Sequence, residues 1–401
     1  MKSLFRLAPA LVFVVLGSSG LFAANPLKVF VLAGQSNMQG HAHLRTFEHV
    51  GMDAASAPLL SKMQNSDGKP RVCDDVWVSS IGSSEQEKVG RLTVGFGAER
   101  GGPKIGPEFL FGIHMQEALG EPILIIKTAW GGKSLHTDFR SPSGGAYEFT
   151  DEQLDNIRKR GNDVAEAKSA KAEATGHYYR LMIEHVREVL GNIKRVYPDY
   201  DADAGYELAG FVWFQGWNDM VDRGVYPSRD KPGGYDLYSQ LMGHFIRDVR
   251  KDLAAPKLPF VIGVLGVGGP VSKYGPDQKR YSAVHQNFRD AMAAPALLPE
   301  FQGNVAVVKT EAFWDLELSG LLARRDEINR EMKKKTQESK LSRDQQQKLR
   351  TEWMSAEFSK REQTILETGT SNAAFHYLGC AKIMARIGEG FAEALLEQSP
   401  R

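Results

Sequence analysis

Only two cysteines occur in 401 residues. That excludes a disulfide-dense scaffold and any all-cysteine metal site. An excess of one charge is also missing, since 50 Lys+Arg against 49 Asp+Glu leave +1. No global field therefore draws the chain to nucleic acid or to an anionic membrane. The apolar stretch near the N-terminus, Leu7 to Leu16, is shorter than the ~20 residues a spanning helix needs. There is no internal repeat and no sustained heptad pattern, which excludes solenoid and coiled-coil architectures. Nucleotide loops are absent too. Lys127-Thr128-Ala129-Trp130-Gly131-Gly132-Lys133-Ser134 lacks the Walker-A spacing, and Gly266-Val267-Gly268-Gly269 fails the dinucleotide fingerprint because position 271 is valine. A 42% hydrophobic and 25% charged composition is that of an ordinary folded protein, neither disordered nor polytopic in a membrane.

What is present begins with a targeting pattern. Lys2 and Arg6 form a basic region, the apolar stretch follows, and Leu21-Phe22-Ala23-Ala24 offers a cleavage site before Asn25. Residues 1–24 thus read as a signal peptide, with export to a periplasmic or extracellular location and no stable membrane insertion after cleavage. Cys73 and Cys380 would then meet an oxidising environment where a single bridge could form.

Short apolar runs bounded by Gly, Pro or polar residues predict buried strands over Leu27–Ala33, Ile123–Lys127, Leu208–Phe214, Phe260–Leu265 and Val305–Val308. Helical patterns lie between them, over Phe109–Leu119, Tyr178–Leu190, Tyr235–Leu253 and Tyr281–Ala293. A last one, Tyr377–Leu396, would close the layer. Alternating strands and helices predict a mostly parallel sheet covered on both faces. The expected organisation is one domain over residues 25–401, with insertions at about 136–176 and 316–366. The second insertion is dense in charge of both signs, and Ser342-Arg343-Asp344-Gln345 has the form of a capping box that starts a fresh helix.

Three of the strands run into polar, glycine-bearing segments, where open α/β sheets bind ligands. The first ends in Gly34-Gln35-Ser36-Asn37-Met38. Taken alone, a serine such as Ser36 after a strand is more often an N-cap than a nucleophile. The second ends in Trp130-Gly131-Gly132, whose N–H groups suit an oxyanion hole or a tight turn. The third ends in Gln215-Gly216-Trp217-Asn218-Asp219, with two neutral amide donors and a carboxylate. Near the C-terminus, His376 precedes the last helix, and an imidazole titrating near neutrality suits a general base. Serine, backbone and amide donors, and a base at one sheet edge are what acyl transfer requires.

In that arrangement the chain resembles the SGNH/GDSL hydrolase superfamily, and within it the sialate O-acetylesterase and acetylxylan-esterase-like branch. Val31-Leu32-Ala33-Gly34-Gln35-Ser36-Asn37-Met38 looks like the nucleophile block. Ile105-Gly106-Pro107-Glu108-Phe109 looks like the Gly-Pro block, and Trp130-Gly131-Gly132-Lys133-Ser134 like the second superfamily block. Gly216-Trp217-Asn218-Asp219 resembles the Gly-x-Asn-Asp block, and Phe375-His376-Tyr377 the last. The resemblance implies a three-layer α/β/α sandwich of flavodoxin-like, SGNH-hydrolase type with a helical insertion, and metal-free, cofactor-free hydrolysis of O-acetyl esters on carbohydrates. It implies Ser36 as nucleophile and His376 as base. The oxyanion hole would draw on Ser36, Gly131 or Gly132, and Asn218 or Gln215.

Two departures affect the acid of a triad. Ala373 stands where superfamily members often carry aspartate, and Trp217 where the esterase branch often carries glutamate. Asp219, Asp315 and Glu311 are then the candidate substitutes, and Asn372 could orient the ring without charge. Gln35, Asn37, Trp130 and Trp217 are expected to contact substrate, the tryptophans by stacking on a sugar ring. The alternative expectation is a catalytically weak relative that binds acylated glycans. A lipase-like reading lacks an apolar lid, since the insertions are charged.

Overall fold

The run Leu27–Gly34 (β1) is apolar and buried at every position but Lys28, because both of its faces are covered. It lies at the middle of a seven-stranded sheet in the computed structural model, which describes residues 25–339 and 341–398. Residues 1–24, on which the signal-peptide reading rests, lie outside the described residues. The other strands are Cys73–Gly82 (β2), Lys88–Leu92 (β3), Ile123–Ala129 (β4), Tyr206–Phe214 (β5), Phe260–Val264 (β6) and Val305–Lys309 (β7). Their order is β3-β2-β4-β1-β5-β6-β7, and every pairing except β2–β3 is parallel.

The sequence pattern misses β2 and β3. Asp74, Asp75, Ser79 and Ser80 interrupt the apolar run of β2, while β3 is a charged edge strand. Lysine and arginine on such an edge discourage pairing with another chain.

Alternation along β5 shows the layers. Phe214 meets Phe391 of the final helix at 5.3 Å between ring centroids, and Trp213 meets Phe245 at 4.3 Å. Neighbouring residues of a strand point to opposite faces. Helices therefore cover both sides, as an SGNH-like α/β/α sandwich requires. The main ones are Glu108–Leu119 (α1), His177–Gly191 (α2), Asp236–Asp252 (α3), Ser282–Ala293 (α4), Leu316–Ser339 (α5), Arg343–Glu357 (α6) and Ala381–Gln398 (α7).

The final helix starts at Ala381 rather than at Tyr377. Tyr377 and Leu378 have φ of 52° and 61°, a left-handed conformation no α-helix can include. Between residues 150 and 174 lie two helices without a buried residue, capped by Thr150 and Asp163. The Ser342 capping box is formed and opens α6, whose Trp353 is covered by Lys335 of α5 at 4.3 Å. Cys73 and Cys380 are both free and buried, so no bridge joins them. Burial pushes their thiols up to about 11 and about 12.

Register positions the site. Gly34 lies opposite both Ala129 of β4 and Phe214 of β5, so three strands end level. Gly34 is required there, because a Cβ would lie 2.1 Å from the Phe214 carbonyl oxygen. Chain order reverses at β1, with β2 and β4 on one side and β5 to β7 on the other. This is the switch point at which such sheets bind ligands.

Candidate active site

The single helical turn Ser36–Gln39 follows β1 directly, with Ser36 as its first residue. An N–H at that position has no preceding turn to accept it. The turn is pinned from below by Lys127, whose ammonium donates to the Gln39 carbonyl at 2.9 Å, the Phe96 carbonyl at 2.9 Å and Glu108 Oε2 at 2.7 Å. Glu108 Oε1 accepts from the Gly106 N–H at 2.9 Å. The Gly-Pro block thus serves to seat a buried ion pair beneath the serine.

Above the strand ends opens a cavity of about 770 Å³. Ser36, Gly131, Gly132, Trp217, Asn218 and His376 line it, together with His41, Asn372 and Phe375. Trp217 and Phe375 stand 5.7 Å apart as a tilted aromatic pair on its wall, with Phe375 exposed.

One chain of hydrogen bonds sorts the amides. The Gly216 N–H can only donate, and it donates to Gln35 Oε1 at 3.1 Å. Gln35 Nε2 must then donate, and its partners are Asn218 Oδ1 at 3.1 Å and, at a longer 3.5 Å, Ser36 Oγ. Asn218 Nδ2 is left free of protein acceptors among the described residues, on a residue that lines the cavity. Gln35 itself is buried and positions Asn218 instead of facing the cavity.

Gln215, expected as an alternative oxyanion donor, is consumed. Its Nε2 faces Gln35 Oε1 at 3.1 Å, the Lys133 carbonyl at 3.0 Å and Asp219 Oδ2 at 2.6 Å. The Gly131 N–H is likewise taken, donating to Ser83 Oγ at 2.9 Å. Gly132, at φ 73°, has an N–H without a protein acceptor among the described residues.

The three carboxylates expected to complete a triad are all engaged away from His376. Asp219 is fully buried and accepts from the Leu135 and His136 N–H groups, Gln215 Nε2 and the Tyr226 hydroxyl. Burial raises its carboxyl, with His136 and these hydrogen bonds opposing. Its role is to tie the segment after β4 to the end of β5. Asp315 accepts from His49 at 2.8 Å and from Lys382 at 3.0 Å. Glu311 pairs with Arg289. No carboxylate bonds to His376 among the described residues; its Nδ1 lies 3.0 Å from Asn372 Oδ1.

Two further expectations change. Trp130 is buried against Phe139 and Tyr178, so it is core rather than a sugar platform. Asn37 is buried outside the cavity lining. Conversely, His41 carried no recognisable sequence signal, and Phe375 was visible only as part of the last block. His41 falls after the nucleophile block, and only folding brings residues 41 and 376 together.

His376 sits in a strained turn. The left-handed Tyr377 and Leu378 follow it, each costing on the order of 1–3 kcal/mol. The buried Tyr377 hydroxyl holds the turn, accepting from the Gly266 N–H at 2.7 Å and bonding Thr310 Oγ1 at 2.7 Å. Burial pushes the His376 imidazole down to about 4.

A family model described as carbohydrate esterase, sialic acid-specific acetylesterase, matches residues 26–313. The matched segment includes Ser36, Gly132 and Asn218 and ends before His376. Among solved structures, the chain is similar to a protein of Arabidopsis thaliana at 16% identity and TM-score 0.36, covering 71% of this chain and 86% of that one. It is also similar to a carbohydrate acetylesterase from Xanthomonas citri at 12% identity and TM-score 0.37, covering 70% of this chain and 49% of that one. Comparison with curated proteins finds no match.

Proposed function

From the premise that this chain belongs to the carbohydrate esterase family of sialic acid-specific acetylesterases, we propose that it is an exported serine esterase removing O-acetyl groups from sugars. The observation that carries this reading is one cavity lined by Ser36, Gly132, Asn218 and His376 at the ends of three strands. Neutral His376 accepts the Ser36 hydroxyl proton as Oγ attacks the acetyl carbonyl. The Ser36 and Gly132 N–H groups and Asn218 Nδ2 receive the developing oxyanion. Collapse expels the sugar alkoxide, to which His376 returns the proton. Water, deprotonated by His376, then attacks the acetyl-serine, and acetate leaves as Ser36 regains its proton. The orienting bond to His376 Nδ1 comes from the neutral Asn372 amide. Trp217 and Phe375 offer apolar faces to the sugar ring.

A second reading, an acyl-glycan binder with little turnover, is favoured by the absence of any carboxylate bonded to His376 among the described residues. Acetate release from a panel of acetylated glycans decides between the two. Release abolished in Ser36→Ala and His376→Ala is the expected result. Binding without release, unchanged in Ser36→Ala, would establish the second reading.

A further inference from the structure

His41 and His376 stack face to face, with ring centroids 3.8 Å apart and planes 1° from parallel. Both rings line the cavity. The two are also read by one side chain: Asn372 Oδ1 lies 3.0 Å from His376 Nδ1, and Asn372 Nδ2 lies 3.4 Å from His41 Nδ1. The orientation of that amide is determined by its surroundings. The Ala373 N–H can only donate, and its partner at 2.7 Å is Asn372 Oδ1. His376 Nδ1 must therefore carry a proton, which leaves its Nε2 bare, as a general base requires. By the same logic Asn372 Nδ2 donates, so His41 Nδ1 is bare and its proton sits on Nε2.

The segment bearing His41 is fastened to the His376 turn independently. Ser371 Oγ donates to the Gly379 carbonyl at 2.7 Å, with the His41 carbonyl also within reach at 3.2 Å, and accepts from the His43 N–H at 3.1 Å. Gly40 allows the approach, at φ 90° and with its Cβ position 2.2 Å from Gly106 Cα.

In a complete triad a carboxylate does two things: it holds the base in one tautomer and orientation, and it stabilises the imidazolium that forms. We propose that His41 is a positioning residue for His376, and that the stacked pair bridged by Asn372 stands in for the missing acid. The Ala373 N–H and His376 hold the amide at its oxygen, and His41 holds it at its nitrogen, so both ends are fixed. The flat stack sets the plane of the base ring. When His376 takes the serine proton, its cationic ring lies on the π face of a neutral imidazole, an attractive arrangement. His41 stays neutral in this environment. Burial, then the charges of His376, Lys104 and Lys127, push it down to about 3. The charged groups around the pair are Lys104, with Glu99 and Arg100 on the cavity rim, and Lys127 below, which is paired with Glu108.

This inference rests on the esterase reading, and its test separates the two. The pH dependence of kcat/KM is measured on an acetyl ester such as p-nitrophenyl acetate for the wild type, His41→Ala and His41→Phe. The wild type should lose activity only near pH 4, where His376 becomes charged. His41→Ala opens one ring face to water. Its acid limb should move up toward the unperturbed ~6.5, and kcat should fall about ten- to a hundredfold with KM little changed. His41→Phe keeps the ring covered, so its limb stays low while kcat falls because Asn372 Nδ2 loses its partner. A wild-type limb and kcat in His41→Ala would overturn the proposal. Independently of activity, 15N spectra of the histidine rings should show protons on His376 Nδ1 and His41 Nε2. The opposite tautomers would overturn the proposal even if His41→Ala fails to fold. Wild-type turnover in Ser36→Ala would instead overturn the esterase reading, leaving the ring spectra to decide on the pair.

Discussion

Asn218 illustrates how much one amide depends on its neighbours. Its free Nδ2 follows from a backbone N–H two bonds away, relayed through Gln35. Asn218→Ala should lower kcat about 10²- to 10³-fold with little change in KM, as loss of one oxyanion donor does. Steady-state kinetics on an acetyl ester checks this. Gln35→Ala should lower kcat in the same direction, although Gln35 does not line the cavity. The polar residues at the strand ends were all visible in the sequence, but their division of labour was not. Gln215 and Asn218 are equivalent as residue types. They differ only in that Gln215 already faces three acceptors. Trp130 and Trp217 likewise look alike in sequence, and packing alone makes one core and the other cavity wall.

At the scale of elements, two devices hold the nucleophile and the base. The first is the buried pair Lys127–Glu108 under the helical turn Ser36–Gln39. Burial lowers the Lys127 ammonium, with Glu108 opposing. Lys127→Met leaves a buried carboxylate unpaired and should destabilise the fold by about 3–5 kcal/mol. Urea denaturation measures it, and the loss should shrink when Glu108 is made apolar as well. The second is the strained turn after His376, clamped by the Tyr377 hydroxyl. Tyr377→Phe leaves the buried Gly266 N–H and Thr310 hydroxyl short of a partner. It should cost about 1–3 kcal/mol in the same assay. The five strands with continuous apolar runs were legible in the sequence because four of them are buried on both faces over most of the run and the edge strand β7 is half-buried. The turn was not, since left-handed Tyr377 and Leu378 contradict local propensity and are held by contacts from the segments just after β6 and β7.

Across the whole molecule, Asp315 at the start of α5 joins His49 and Lys382 of α7 in one buried network, with Lys382 also reaching Asp53. Burial alone would raise the Asp315 carboxyl. Hydrogen bonds from His49 and the Leu318 N–H, with the Lys382 ammonium, overcome that and hold it well below the usual carboxylate range. A depressed carboxyl contributes stability that is fully present above its unfolded-state value, ~3.9, and is lost as pH falls through the folded one. The stability difference between wild type and Asp315→Asn should therefore be largest near neutrality and close progressively below about pH 4. Urea unfolding curves from pH 7 to pH 2 would show it. Asp315, a candidate catalytic acid by residue type, acts here as a structural joint between distant helices.

By itself the sequence determined the parallel sheet, the family to which the chain belongs and the strand ends at which the cavity opens. Runs of apolar residues and short block motifs are local patterns, and burial on both faces forces them. Only the tertiary structure decided which polar groups face that cavity and which are spent on one another. Hydrogen-bond donors are exhausted by acceptors far away in sequence, as Gln215 is by Gln35 and Lys133, and no local pattern records that accounting. The pairing of His41 with His376 is of the same kind. Two rings separated by most of the chain stack because a single amide and a single serine hydroxyl bind their segments together.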